Sequence, residues 1–389
     1  MLQSVRLINY RGLKDTTIPL APITLLTGMN GIGKTSVLEG LYFLLSPQVP
    51  DAAVFPRYQT FLQIQTNMAM PSRFSNLQLP VLPIKGYDYS LFWNECPISG
   101  ATECQIEGTS GSLKLSWNMK ISDFAELAPE LKSMATAYGF PSGVGTPYVL
   151  WKWNCLGQAR KDSKSHEIAY VKHGSKAAQL LTMEPRFTPR IGEVTATACR
   201  YVDMSSVRHI PDKLSIQTEN LLTDALTIIN PNVTGVRLDG TPPRLRVIIN
   251  KESEYSLGTL GVGAETWASM LLMLAELIST SSSRNTSTKY FSVMFLADEI
   301  GAGIHYSKLE DMWGFLLKFL SKYPQIQMVM TTHSYDCIKA FAKTFQNEKP
   351  GMAHIVRMLK FGEKEEVKTT TFSHDTFSNI LDYNWEARG

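Results

Sequence analysis

No apolar run in this sequence is long enough to cross a bilayer. The longest helical-looking one, Met270 to Leu277, falls well short of the roughly 20 residues a spanning helix needs. The opening residues scatter Arg6, Arg11 and Lys14 among short apolar pieces, so a signal-peptide core is missing too. Cysteine is scarce: Cys96, Cys104, Cys155, Cys199 and Cys337 are odd in number, far apart and without a C-x-x-C pair. That excludes a disulfide framework and a zinc ribbon, and predicts a reduced, cytoplasmic protein with no membrane partner. Charge of one sign is not in excess, since 38 Lys and Arg against 35 Asp and Glu leave a net +3. Such a balance neither demands nor excludes nucleic acid, because a basic patch can sit inside a neutral total. Sustained heptads are absent as well, which excludes long coiled-coil arms.

What is present is an ordinary globular balance, 44% hydrophobic and 19% charged, in a chain of 389 residues. That length suits two domains, or one domain with a large insertion. Residues 1–46 read as strand, turn, strand, loop, helix. Val5, Leu7 and Ile8 precede a turn at Arg11-Gly12, and Ile18 and Leu20 lead to the apolar strand Ile23–Leu26. Ser36–Leu45 then carries Val37, Leu38, Leu41 and Leu45 at helical spacing. Residues 47–205 are richer in Pro, Gly, Trp and Tyr, with short strands predicted at Tyr87–Trp93, Leu113–Trp117, Tyr148–Trp153 and Ile168–Val171. Beyond them come a helix, Leu214–Ile229, two strands, Val233–Leu238 and Leu245–Ile249, and a helix, Glu265–Leu277. A Ser-rich surface loop, Ser279–Ser287, separates these from strand Val293–Ala297, helix Lys308–Leu320, strand Gln327–Met330 and helix Tyr335–Phe345. Alternation of this kind predicts a parallel, helix-covered sheet.

Gly28 to Thr35 match G-x-x-x-x-G-K-[ST] in full, with an apolar strand before and a helix after. The glycines let the backbone wrap a triphosphate, and amides at the helix N-terminus point at the anion. Asn30, Gly31, Ile32, Gly33, Lys34, Thr35 and Ser36 are therefore the expected ATP contacts. Lys34 is expected on the β- and γ-phosphates and the Thr35 hydroxyl on Mg2+. Strand Val293–Ala297 ends in Asp298-Glu299. A P-loop site needs one acid in the metal's coordination shell and, for hydrolysis, a second to orient or deprotonate water. Asp298 is read as the metal-side acid and Glu299 as the base, on a strand expected to neighbour that of the P-loop. Thr331-Thr332-His333-Ser334 ends the next strand, where His333 is placed to bond the γ-phosphate or the attacking water.

This order of motifs resembles the ABC-type ATPase head of RecF, SMC and OLD-type proteins. The run Asp298 to Ser307, with Trp313 following, is similar to stand-alone prokaryotic AAA-type ATP-binding proteins, several of which act in phage-defence operons. Asn9-Tyr10-Arg11-Gly12-Leu13-Lys14 is also similar to this class, which implies that Arg11 lies near the nucleotide. The likeness covers residues 1–46 and roughly 212–345. It implies an α/β P-loop NTPase fold of ABC-ATPase type, with a nucleotide-binding domain at 1–46 and 206–389 and an inserted strand-rich lobe at 47–205. In this class a signature loop from a second head completes each ATP site. Leu257 to Glu265 is the matching stretch, and Gly261 and Gly263 would offer backbone amides there; Gly261 stands where the family's Leu-Ser-Gly-Gly has serine, so a hydroxyl is lost. His305 is a candidate for the same interface. Gln59, Gln63 and Gln65 are the candidates for the glutamine this class uses between its halves.

One P-loop and one signature-like loop imply a homodimer or higher homo-oligomer with ATP at the interface. The resemblance further implies an ATP-hydrolysing switch that controls a separate effector, a nuclease or toxin, in antiviral defence. The 44 residues after Phe345 are too few for the C-terminal nuclease of an OLD-type enzyme, hence the expectation of a separate effector. The alternative is a RecF-like DNA-repair ATPase binding duplex DNA, and a third reading is a scaffold that binds ATP and hydrolyses it poorly. The basic run Arg160, Lys161, Lys164, Lys172 and Lys176 reads as a solvated loop, and Trp93, Trp117, Trp151 and Trp153 as core or interface residues.

Overall fold

The structure, a computed structural model, describes residues 1–45, 103–111, 113–127, 129, 132, 133, 136, 147–156, 164–173, 177–182, 199–203, 213–240, 244–282, 293–361 and 366–382. A hairpin of β1 (Ser4–Tyr10) and β2 (Leu13–Pro19) is followed by β3 (Ile23–Thr27) and α1 (Lys34–Leu45). Next come β4 (Glu103–Ser110), β5 (Leu113–Asp123), β6 (Pro147–Leu156), β7 (Lys164–His173), β8 (Ala177–Thr182) and β9 (Cys199–Asp203). Helix α2 (Ile216–Ile229) leads to β10 (Val233–Asp239), β11 (Arg244–Ile249) and β12 (Ser253–Ser256), then α3 (Val262–Ser282). The chain continues through β13 (Val293–Asp298), α4 (Leu309–Lys322), β14 (Ile326–Thr331) and α5 (Tyr335–Phe345). It then runs through β15 (Ala353–Phe361), β16 (Glu366–Phe372) and α6 (His374–Asp382).

These strands form a six-stranded sheet in the order β16-β15-β3-β14-β13-β9, a seven-stranded sheet in the order β2-β1-β4-β5-β6-β7-β8, and a small sheet β10-β11-β12. In the first, β15, β3, β14, β13 and β9 run parallel and β16 antiparallel. Its central strands β3, β13 and β14 are buried at every residue, the pattern of a parallel sheet covered on both faces. Alternate residues along these strands and β15, among them Ile23, Leu25, Phe295, Met328 and Ile355, pack with α2 to α6 into one core. Trp313 stands at its centre, edge-on to Phe341 with ring centroids 4.9 Å apart, and its indole N–H donates to the Cys337 carbonyl at 3.1 Å.

The other face carries α1, held between the two sheets. Contact there is close, and glycines let leucine side chains lie against backbone. A Cβ on Gly40 would come within 2.6 Å of Leu7 Cδ2, and one on Gly108 within 2.6 Å of Leu44 Cδ2. The chain start is pinned to the same layer by the buried Gln327, whose amide donates to the carbonyls of Leu2 (2.8 Å) and Ala21 (3.0 Å).

Helix starts follow local chemistry. Ser215 and Ser334 cap α2 and α5 by accepting from Thr218 N (3.1 Å) and Cys337 N (3.3 Å). Asn230 ends α2 before Pro231, which cannot continue a helix. Three expectations need correction. Strand β14 lies between β3 and β13, so the acidic strand is next but one to the P-loop strand, not its neighbour. Helix α3 extends to Ser282, into the stretch expected as a surface loop from Ser279, because its apolar face packs on the core through Leu277 and Ile278. The partition at residues 46 and 205 cuts across both sheets: β4 pairs with β1 to continue the hairpin's sheet, and β9 pairs with β13 in the six-stranded one. The predicted strand Tyr87–Trp93, the three candidate glutamines, and the side chains of the basic run and of the four tryptophans lie outside the described residues.

Candidate nucleotide-binding site

The carboxyl ends of β3, β14 and β13 meet at one edge of the six-stranded sheet, where open parallel sheets bind ligands. At the end of β3 the chain turns through Gly28 (φ 138°), Gly31 (φ 77°) and Gly33 (φ 105°) into α1. Gly28 has no room for a side chain, since a Cβ would lie 2.5 Å from the Met358 carbonyl oxygen of β15. Gly33 is covered by Leu13, whose Cδ2 would stand 3.0 Å from a Cβ. Asn30 and Gly31 are exposed on the outer rim, while Ile32 and Ser36 are buried against the fold.

Lys34 is only 6% exposed, and its ammonium donates to the carbonyls of Gly28 (2.8 Å) and Met29 (3.0 Å). Two of its three N–H donors thus brace the loop, and one is left for a ligand. Burial pushes the Lys34 ammonium below its ordinary value, against the opposing pull of the Glu299 and Asp298 charges. A buried ammonium held among carbonyl groups is suited to an anion, whose charge would offset the cost of burying it.

Across the sheet edge, the Thr35 hydroxyl donates to Asp298 Oδ2 at 2.7 Å, bridging residues 263 positions apart. The Thr331 hydroxyl donates to the other oxygen, Asp298 Oδ1, and also accepts from the Glu299 amide at 2.9 Å. Asp298 is therefore fixed through both oxygens, each in a charge-assisted bond worth roughly 1.5–3 kcal/mol. Glu299 has φ 59°, a left-handed conformation that costs a non-glycine residue about 1–3 kcal/mol and recurs at functional sites. That turn carries its carboxylate out of the strand direction to meet His333, with Nδ1 and Oε2 2.5 Å apart. The imidazole is 60% exposed and the carboxylate 31%, so this pair faces solvent while Asp298 does not. His333 is thus in contact with the candidate base.

Arg11 stands at the β1–β2 turn with φ 50°, and its guanidinium pairs with Glu39 of α1 at 2.6 Å. Glu39 is buried and Arg11 is largely covered, so this arginine grips the helix that carries Lys34 and Thr35. Gly261 (φ 92°) precedes α3, and Gly263 lies inside the first turn of that helix. An L side chain would be strained at Gly261 at this positive φ. A Cβ on Gly263 would meet the Gly303 carbonyl at 2.1 Å, so the signature-like loop packs on the loop that follows the acids. With His305 and Lys308, the two loops line a cavity of about 290 Å³ that no P-loop residue enters. His305 Nδ1 accepts from the Ser307 amide, capping a short turn.

Asn30 to Ser36, Asp298, Glu299 and His333 are accordingly brought to one sheet edge, while Gly261, Gly263 and His305 belong to a second surface. Two residues escaped the sequence reading. Thr331 was visible as the last residue of its strand, but nothing local gave it two acidic partners. Glu39 sits within a helix of apolar residues, and only its charge there hinted at the buried pair with Arg11.

The strand–loop–helix unit, with acids at the end of a nearby parallel strand, has the arrangement of a P-loop NTPase fold. The AAA ATPase domain family matches residues 1–78, which include the P-loop. A 70-residue segment is 34% identical to an OLD nuclease of Thermus scotoductus, covering 18% of this chain and 13% of that protein. Among solved structures, the recombination mediator RecF with ATPrS superposes with a TM-score of 0.38 at 9% identity, over 95% of this chain and 98% of that one. RecF with ATP gives 0.33 at 11% identity, over 85% and 93%. No helix among the described residues is long and apolar enough to cross a membrane.

Proposed function

We propose that the protein binds ATP with Mg2+ at the Gly28–Ser36 loop and hydrolyses it, and that hydrolysis drives a switch between associated and separate copies. The observation that carries this reading is the contact of Thr35 with Asp298 at 2.7 Å, beside the Glu299–His333 pair at 2.5 Å. It joins a phosphate-binding loop to a metal-side acid and a base in one place. When bound, Mg2+ and the triphosphate supply neutralised phosphate oxygens and a phosphorus open to in-line attack. Lys34 and the loop amides would hold the phosphates, and Thr35 and Asp298 the metal. The acceptor Glu299 Oε2 fixes the His333 proton on Nδ1 and leaves Oε1 of the same carboxylate free to take a proton from water. With the proton on Nδ1, His333 Nε2 is an acceptor, suited to hold the attacking water rather than a phosphate oxygen.

The second surface supports association. Gly261 turns the chain into α3, and Gly263, packed on Gly303, lies in its first turn, apart from their own P-loop. The Gly261 amide is taken by the Gly258 carbonyl at 3.1 Å, so the anion site there would be the helix N-terminus with the Gly263 amide. A second copy would place this terminus over the first copy's ATP, giving a homodimer or higher homo-oligomer that closes on ATP and opens after hydrolysis. In this reading the switch governs a separate effector, a nuclease or toxin, in antiviral defence. The alternative, a DNA-maintenance ATPase, is supported by the 34% identity of a 70-residue segment to a protein named a nuclease. ATP-strengthened, salt-sensitive binding of duplex DNA would select it.

Steady-state turnover and light-scattering mass with and without ATP test the central reading. Glu299→Gln should keep ATP affinity, lower turnover by about 100- to 10,000-fold and accumulate the associated form. Equal turnover in wild type and variant removes Glu299 as the base.

A further inference from the structure

Three consecutive residues at the end of β14 enclose the turn that carries the acids. The Thr331 carbonyl accepts from the Ile300 amide at 2.8 Å, and the Thr332 hydroxyl donates to the Ile300 carbonyl at 3.3 Å. His333 meets Glu299 through its side chain. Within this clasp the Thr331 hydroxyl stands apart, because the residue is fully buried and touches both acids in different ways. Its proton goes to Asp298 Oδ1, and its oxygen accepts the Glu299 amide at 2.9 Å. A hydroxyl has one proton to give, so this one is committed and serves neither as acid nor as base. Accepting from an amide also polarises a hydroxyl and strengthens it as a donor, which tightens its hold on the carboxylate. The pairing of Ala297 with Met330 puts the next residues, Asp298 and Thr331, on one face of the sheet, and Thr35 of α1 approaches on that same face.

We infer that Thr331 is a positioning residue for hydrolysis, whose one hydroxyl holds the metal-side acid and the backbone of the base in register with each other. This deepens the ATP reading above and rests on it. Thr35 and Thr331 share Asp298, one carboxylate oxygen each. In that reading Oδ2, beside Thr35, is the oxygen on the metal side, and Oδ1 is the one that needs an anchor from behind. Thr331 supplies that anchor, as outer-shell hydrogen bonds do for ligating carboxylates. The same hydroxyl oxygen supports the Glu299 amide, where the backbone is held at φ 59°. A left-handed turn at a glutamate persists only where its surroundings over-determine it. Loss of this hydroxyl therefore loosens acid and base together, whereas Lys34, bonded to Gly28 and Met29, keeps its place.

Titration calorimetry of the full chain with ATP, in EDTA and then in Mg2+, together with turnover over a range of Mg2+ concentrations, tests this in wild type, Thr331→Val and Thr331→Ser. Valine keeps the branched shape that suits a strand, so the carbonyl clasp on Ile300 remains. Thr331→Val should bind ATP in EDTA as wild type does, raise the Mg2+ concentration for half-maximal turnover about 10-fold, and lower kcat about 10- to 100-fold. Thr331→Ser restores the hydroxyl and should recover most of both losses. A valine variant in which either quantity stays at the wild-type value overturns the inference, since one hydroxyl holds both groups. So does a loss that serine fails to recover, which assigns the effect to packing of the methyl group, or a loss already present in EDTA, which assigns it to the phosphate cradle. If the valine variant does not fold, serine decides alone: with the hydroxyl kept, a Mg2+ response or kcat displaced about 10-fold from wild type overturns the role. Wild type that binds ATP under neither condition removes the ATP reading itself, and wild-type turnover in Glu299→Gln removes only the base. Both results are distinct from any difference among the Thr331 variants.

Discussion

Two glycine-rich turns in this chain each open a helix, and in sequence they look alike. At the first, Gly28–Thr35, glycines make room for the Met358 carbonyl and the Leu13 side chain, and Lys34 and Thr35 supply charged and hydroxyl groups that reach the loop and Asp298. At the second, Gly261 bends the chain and Gly263 makes room for Gly303 of the same copy, with no side chain to offer an anion. A glycine pattern alone thus does not separate a cradle from a packing seam; the partner side chains do. Lys34→Ala should break the contrast most, lowering ATP affinity at least ~100-fold with the second turn untouched, as calorimetry would read. Retained affinity would mean that amides alone suffice and that the two turns are equivalent. Gly263→Ala should cost about 1–3 kcal/mol in denaturant midpoint, because the new methyl group collides with backbone. It should also stop ATP-dependent association while ATP still binds; an unchanged midpoint would remove the Gly263–Gly303 seam. Gly261→Ala meets no atom within 4 Å and should cost only the backbone strain, about 1 kcal/mol, seen as a small drop in melting temperature.

Much of the candidate site was legible because its parts are local. The β3–loop–α1 unit, the buried strand ending at Asp298 and the helix Tyr335–Phe345 each carry their own apolar pattern and end signals. Sheet order was not legible, because pairing across the parallel sheet joins residues hundreds of positions apart. Met328 pairs with Ile23, and Ala353 with the same Ile23 from the other side. Strand β15 went unread because Arg357 and Lys360 interrupt its apolar residues, and its worth lies in standing next to β3. How strands of the expected lobe join the rest of the chain was not legible for a related reason. Antiparallel strands such as β4 and β5 give the same alternation whether they found a new sheet or, as here, prolong the hairpin at the chain start.

That prolongation shapes the packing. From β8 to β2 the strands form one continuous hydrogen-bonded ribbon, and the ribbon touches α1 where Gly40 meets Leu7 and Gly108 meets Leu44. At both points glycine lets a leucine side chain of one element lie directly on the backbone of the other, so the ribbon and the helix that begins with Lys34 share a continuous packed seam.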